Sequence, residues 1–329
     1  MVLPTPDLNL VEYRPGLRAY TSPRGLRVLE LDWWADPLHD ALWAERARVT
    51  VPDKDWRREM GRDWSTPAGD AFFPAFSEIG RARFVMPATR LISGYVYRAF
   101  DFGRRRPACI WFQYSLKSDR AWLLREFMPH DLQTHDFRDA VRFLSNQLPW
   151  EQVPERAQRW VEAYTMRPSG IHCPPPWFPL GVRFLDISGP EATQVQANAA
   201  TPEESTAADI FAAAGLNLIV VTPKVKGRNR VVDRMISVRP DGHPGMIIDP
   251  QCEESIVGFE GAFAYPKPTK QVPVPTKPFK DGHFENLLDA IGYGFVAVVP
   301  ADAPTPAEQR RGTSPVESVD WLETRAQAR

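Results

Sequence analysis

Cysteine is scarce. Three occur in 329 residues, Cys109, Cys173 and Cys252, an odd number without C-x-x-C spacing, so neither a disulfide framework nor a thiol-built zinc site is expected. No apolar run is long enough to span a bilayer and none resembles the core of a secretory leader, so the expectation is an intracellular, soluble protein with no membrane partner. An excess of either charge is also missing: 40 Lys and Arg face 41 Asp and Glu, for a formal net charge of -1. No global basic field announces a nucleic-acid partner, and any such surface must come from local clusters. The pattern G-x-x-x-x-G-K-[ST] occurs nowhere, which excludes P-loop ATP hydrolysis. No nucleophile elbow or His-partnered Ser or Cys points to covalent catalysis.

What is present can build a core, since 43% of the residues are hydrophobic. The first ~90 residues are rich in Trp, Pro and Arg and read as short helices and turns. From Tyr95 the pattern changes. Tyr95 to Phe102, Cys109 to Ser115 and Trp122 to Phe127 are apolar runs separated by turn-sized gaps, as in an antiparallel meander. Helical periodicity follows between about Asp131 and Leu148. "VRFLDIS" is a further strand, and "TPEESTAADIFAAAG" a helix capped by Thr201, with Pro202 in its first turn, Glu204 closing a capping box and Gly215 at its end. "LNLIVVTP" reads as a buried strand, "RNRVVDRMISVR" as a basic helix, "GMIIDP" as a short strand and "DGHFENLLDAIGYG" as a late helix. Three strands followed by alternating helices and strands make a mixed α/β sheet. The proline-rich stretch 266–278 is expected to be extended, and the polar tail from about Ala301 to lack a fixed conformation.

Aspartates recur at telling places. Asp101 ends the first strand and Asp186 ends the fourth. Asp289 lies on the late helix, bordering the apolar stripe Phe284, Leu287, Leu288 and Ile291, with Glu285 one turn before it. An Asp ending a strand also serves as a turn residue or helix cap. Gathered carboxylates need a hard divalent cation to offset their repulsion, and Mg2+ or Mn2+ takes oxygen ligands. The tripeptide "DFG" is shared with protein kinases, but no H-R-D loop or G-x-G-x-x-G loop accompanies it. His172 with Cys173, and His130 with His135, lack companions at zinc-binding spacing.

Five segments in order resemble the nuclease portion of the large terminase subunit of tailed phages, the DNA-packaging motor protein, across residues 56 to 297. "WRREMGRDWSTPAGDAFF" resembles the exit from that family's ATPase domain, "YRAFDFG" its first nuclease strand, and "FLDISGPEA" its second acid. "GLNLIVVTPKVKGRNRVVDRMISVR" with "GMIIDPQCEESIVGFEGAFAY" is similar to its strand, basic helix, strand and helix, and "HFENLLDAIGY" to its closing helix. The resemblance implies an RNase H-like fold of mixed sheet flanked by helices, with Asp101, Asp186 and Asp289 as catalytic acids. These would hold two Mg2+ or Mn2+ ions, with Glu285 as a possible extra ligand. It implies a metal-dependent endonuclease cutting concatemeric viral DNA in the cytoplasm of an infected bacterial host. A separate packaging ATPase, a small terminase subunit and a portal would be partners. The divisions expected are a linker or docking segment at 1–92, the nuclease domain at 93–300 and a tail at 301–329. The alternative is an inactive RNase H-like subunit that binds DNA or scaffolds the motor. His283 stands six residues before Asp289, where the family often has three, and reads as a helix-start or surface residue rather than a site residue.

Two basic groups suit double-stranded DNA. Arg104, Arg105 and Arg106 follow the first acid, and Lys224, Lys226, Arg228, Arg230, Arg234 and Arg239 lie between the second and third. Such groups grip phosphates without reading sequence, or form a solvated helix face. Trp33, Trp34, Trp43, Trp56 and Trp64 are either interface anchors for the motor or packing for the nuclease core.

Overall fold

The computed structural model describes residues 11–21, 27–50, 56, 60, 71–87, 94–103, 106–165, 175–195, 206–239, 241–266 and 283–300. The expected lack of strands near the N-terminus is corrected at once. β1 (Val11–Arg14), β2 (Leu17–Thr21) and β3 (Arg27–Leu31) form an antiparallel sheet in that order. The missed signal is "RPGL", in which Gly16 takes φ +80, a left-handed conformation that glycine adopts without steric cost. A 3-10 turn at Trp33–Ala35 and α1 (Ala41–Thr50) follow. Trp33, Trp43 and Trp56 pack on one another, with centroids 5.8 to 6.2 Å apart. Trp64 lies outside the described residues.

Two short helices, α2 (Pro74–Ile79) and α3 (Arg81–Phe84), precede the main sheet. Both lie before residue 92, yet they pack with the main sheet. Phe73, Phe76 and Phe84 are buried in the main core, and the N–H groups of Phe72 and Met86 donate to the carbonyls of Phe263 and Ile248.

The main sheet begins with the expected meander, β4 (Tyr95–Phe102), β5 (Pro107–Ser115) and β6 (Arg120–Phe127). α4 (Thr134–Leu144) and α5 (Glu155–Thr165) lead to β7 (Arg183–Ser188) and a 3-10 turn, Pro190–Thr193. Then come α6 (Ala207–Ala213), β8 (Leu218–Val220), α7 (Val225–Ile236), β9 (Met246–Ile248), α8 (Glu253–Val257) and α9 (Phe284–Val298). The strand order is β8-β7-β4-β5-β6-β9, with β7 parallel to β4 and β8 parallel to β7. A meander whose first strand is flanked by two later parallel strands is the RNase H-like order. The fold is therefore α/β, a mixed sheet flanked by helices.

Alternation along the strands explains the layers. Ile110 and Phe112 of β5 enter the core shared with α7, α8 and α9, whereas Cys109 and Trp111 enter the one shared with α4, α5 and α6. Covered on both faces, β5 reads as a continuous apolar run. β8, expected to be buried, is half-exposed because it lies at the sheet edge. α6 starts later than expected: Thr206 caps it and Asp209 completes the box, while residues 201–205 lie outside the described residues. Gly215, with φ +77, follows its end as expected. Most of the stretch 266–278, and the tail from 301, are also outside them.

Candidate functional site

The C-terminal ends of β4 and β7 are neighbours, and α9 crosses beside them. Phe100 of β4 is level with Ser188 of β7, so Asp101 stands next to Gly189, where the chain leaves the sheet. Asp101 is 5% exposed and shares the sheet face of Ala99, which packs against α9.

Glycine at 189 has a steric reason. A Cβ there would collide with the ring of Tyr293 and with Glu191 Oε2. Without it the Tyr293 phenol reaches Glu191, donating its O–H to Oε1 at 3.2 Å. Glu191 Oε2 is itself buried and has no hydrogen-bond partner among the described residues. Tyr293 lies one turn beyond Asp289 on α9, so the two share a helix face. The phenol's pKa is pushed up strongly, by burial first. Arg228 opposes that shift, and the charges of Asp101, Glu191 and Asp289 add to it. Three carboxylates from three elements thus act on the phenol, Glu191 by direct contact. Arg228 of α7 is the fifth member: its Nη2 lies 2.6 Å from Asp289 Oδ1, and its guanidinium stacks 4.8 Å from the Tyr293 ring centre.

Asp186, expected as the second acid of this cluster, is not part of it. It is level with Arg98 in the parallel β4–β7 register, and Asp101 is three residues further along β4, so side-chain alternation puts Asp101 and Asp186 on opposite faces of the sheet. There the Arg98 guanidinium donates to both Asp186 oxygens, at 2.6 and 2.9 Å. It also donates to Ser145 Oγ and Gln147 Oε1 and lies over the Phe184 ring. The pair is buried and internal. Glu191, five residues later, is the acid beside Tyr293, a position that sequence reasoning passed over. Its only signal was an acid just beyond a Gly-Pro pair at a strand end.

The remaining expected residues divide. Glu285 is buried at the start of α9 and accepts the His283 N–H at 3.2 Å. Lys224, Lys226 and Arg230 are exposed on or beside α7. Arg228 and Arg234, expected on the same DNA-facing surface, turn inward instead. Arg234 pairs with Asp119 at 2.7 Å and donates to the Pro300 carbonyl, and Arg239 is buried against Asp119. Helical spacing is the cause, since Arg228 falls on the stripe of Val232 and Met235 that faces the core. Arg106 is half-buried and its carbonyl accepts from Asn286. Arg104, Arg105, His172 and Cys173 lie outside the described residues.

Among the described residues, no three His, Cys, Asp or Glu side chains stand as a ready-made ligand set for a metal ion, and no helix is long and apolar enough to cross a membrane.

No family model matches the chain, and no curated protein is similar to it in sequence. Among solved structures it is similar to the large terminase of a thermophilic bacteriophage, with a TM-score of 0.45 and 11% identity over 79% of this chain and 52% of that one. The P22 large terminase nuclease domain matches at TM-score 0.42 and 15% identity, over 70% of this chain and 93% of that one. The large terminase nuclease of thermophilic phage G20c, solved with bound magnesium, matches at TM-score 0.39 and 10% identity, over 70% and 98%. The chain spans about half the length of the first of these, the large terminase.

Proposed function

We propose that this chain is a divalent-metal-dependent endonuclease acting on double-stranded DNA, with Asp101, Glu191 and Asp289 as its metal-holding acids. The observation that carries the reading is the contact of Glu191 with Tyr293, one turn along α9 from Asp289 and beside the end of β4 that bears Asp101, with Glu191 Oε2 buried and without a donor among the described residues. A buried carboxylate oxygen left without a hydrogen bond is costly, and a cation is what compensates it. The donor set is all oxygen and suits Mg2+ or Mn2+. Bound there, such ions would supply Lewis acidity, activating a water and stabilising the leaving oxygen of a phosphodiester.

The chain's own groups do the rest. Tyr293, kept neutral by burial and three nearby acids, donates to Glu191 Oε1 and so orients Oε2. Arg228 offsets the charge of Asp289. Lys224, Lys226 and Arg230 present exposed cations from the element beside the acids, suited to phosphates flanking the scissile bond. A role in phage genome packaging, with a packaging ATPase, a small terminase subunit and a portal as partners, follows from the sequence resemblance. The segment 1–92 would then be a linker or docking segment.

A second reading, a subunit that binds DNA without cutting it, draws on two observations: Arg228 engages Asp289, and no ready ligand set stands among the described residues. Incubation with supercoiled plasmid and Mn2+, with and without chelator, separates the two. We expect chelator-sensitive nicking that Asp101→Asn and Glu191→Gln each abolish. Variants cutting at the wild-type rate would remove these acids from the mechanism, and no cutting by the wild type would favour the scaffold.

A further inference from the structure

We infer that Arg228 is a resident counter-cation of the acid cluster: a positioning residue that competes with a divalent ion for Asp289 and must release that carboxylate before an ion binds. The inference rests on the reading of Asp101, Glu191 and Asp289 as a cation site, and goes beyond it by assigning the step that controls entry.

Arg228 is a built member of the cluster. Its side chain is 11% exposed and that of Asp289 16%, and the contact between them is 2.6 Å, so the pair is shielded from the water and salt that weaken surface ion pairs. Its path has been cleared. A Cβ at Gly292 would lie 2.6 Å from Arg228 Cγ and 2.7 Å from Cδ, so the glycine inside α9 leaves a groove for the aliphatic stem. A helix-interior glycine costs ~0.5–1 kcal/mol relative to alanine, and seating this side chain is what it provides here. At the far end the guanidinium lies over the Tyr293 ring. Stem, head and charge are each held by α9. The exposed neighbours Lys224, Lys226 and Arg230 have no such seat among the contacts described.

Competition follows from charge and place. Asp289 Oδ1 is engaged by the guanidinium, and a dication sharing that carboxylate would meet a positive charge across a poorly screened gap. An ion can draw Asp289 toward Asp101 and Glu191 only as Arg228 lets go. The pairing also accounts for the coexistence of three neighbouring acids with the lack of a ready ligand set among the described residues.

The test is Mn2+ binding to the full chain, read from the electron paramagnetic resonance signal of free Mn2+, without DNA or turnover. Arg228→Met keeps most of the stem and removes the cation; it should bind Mn2+ about tenfold more tightly than wild type, and Arg228→Lys should return affinity to near the wild-type value. Gly292→Ala, which fills the groove, should also tighten binding and stands in if Arg228→Met fails to fold. The metal-induced rise in melting temperature should be larger in both tightened variants. Unchanged or weaker binding in both Arg228→Met and Gly292→Ala, with binding lost in Asp101→Asn, would overturn the competition while leaving the cation site intact. No binding by wild type or any variant would overturn both.

Discussion

Removing the Asp186 carboxylate tests the division of labour between the two faces of the sheet. Arg98 is 1% exposed and Asp186 5%, and the guanidinium is held by both oxygens of Asp186, Ser145 Oγ and Gln147 Oε1. In Asp186→Ala the two polar contacts that remain cannot replace the charge, and a buried guanidinium is left without its counter-ion. Breaking one side of such a pair costs ~3–5 kcal/mol. For a domain of about 150–250 residues each kcal/mol lowers the melting temperature by ~2–4 °C, so a fall of roughly 6–20 °C is expected, with a matching drop in the urea midpoint. The double variant Arg98→Met, Asp186→Leu should recover most of the loss, because apolar side chains of similar volume replace a buried pair at little cost. Circular dichroism through a urea titration reads the stability, and Mn2+ binding to the folded variant reads the site. If Asp186→Ala unfolds at the wild-type midpoint and loses Mn2+ affinity, the carboxylate belongs to the cation site and the opposite-face argument is refuted.

Other expectations are more local. Gly189→Ala forces a methyl group against Tyr293 and Glu191 and should destabilise by ~1–3 kcal/mol, measured by urea unfolding; a neutral result would mean the 3-10 turn can shift freely. The Glu126 carboxyl is raised from 4.5 to about 8, by burial first and then by Glu254, against hydrogen bonds from the Ser255 hydroxyl and the Glu254 and Ser255 amides. Its proton is held by the folded form and released by the unfolded chain above about 4.5, so the contribution of Glu126 to stability is full below that pH and is lost as pH rises toward 8. Glu126→Gln should flatten the slope between those pH values in unfolding titrations, and an unchanged slope would exclude Glu126 as its source. Replacing Lys224, Lys226 and Arg230 together with Ala should weaken binding to two unrelated duplexes alike and make the salt dependence shallower by up to ~3 in logarithmic slope; an unchanged slope would place the DNA elsewhere. The purified chain should not turn over ATP, because it lacks the phosphate-cradling loop and its Lys; ATP hydrolysis would reveal a second kind of nucleotide site.

The sequence by itself determined the meander, the late helix and the α/β class, because these rest on local periodicity: apolar runs of strand length between turn residues, and an apolar stripe at helical spacing on Phe284–Val298. It also marked Asp101 and Asp289, which sit at a strand end and on a helix border whatever packs against them. Only tertiary structure decided which acid stands beside Tyr293. Whether Asp186 or Glu191 joins the cluster depends on the β4–β7 register, and a side-chain period of two sends residues three apart along β4 to opposite faces. The same limit hid the fate of the basic residues. Arg228, Arg230 and Arg234 are alike in sequence, yet a groove over Gly292 and a buried Asp119 turn two of them inward and leave the third in water. Those partners lie tens of residues away in the chain, and only packing brings them within reach.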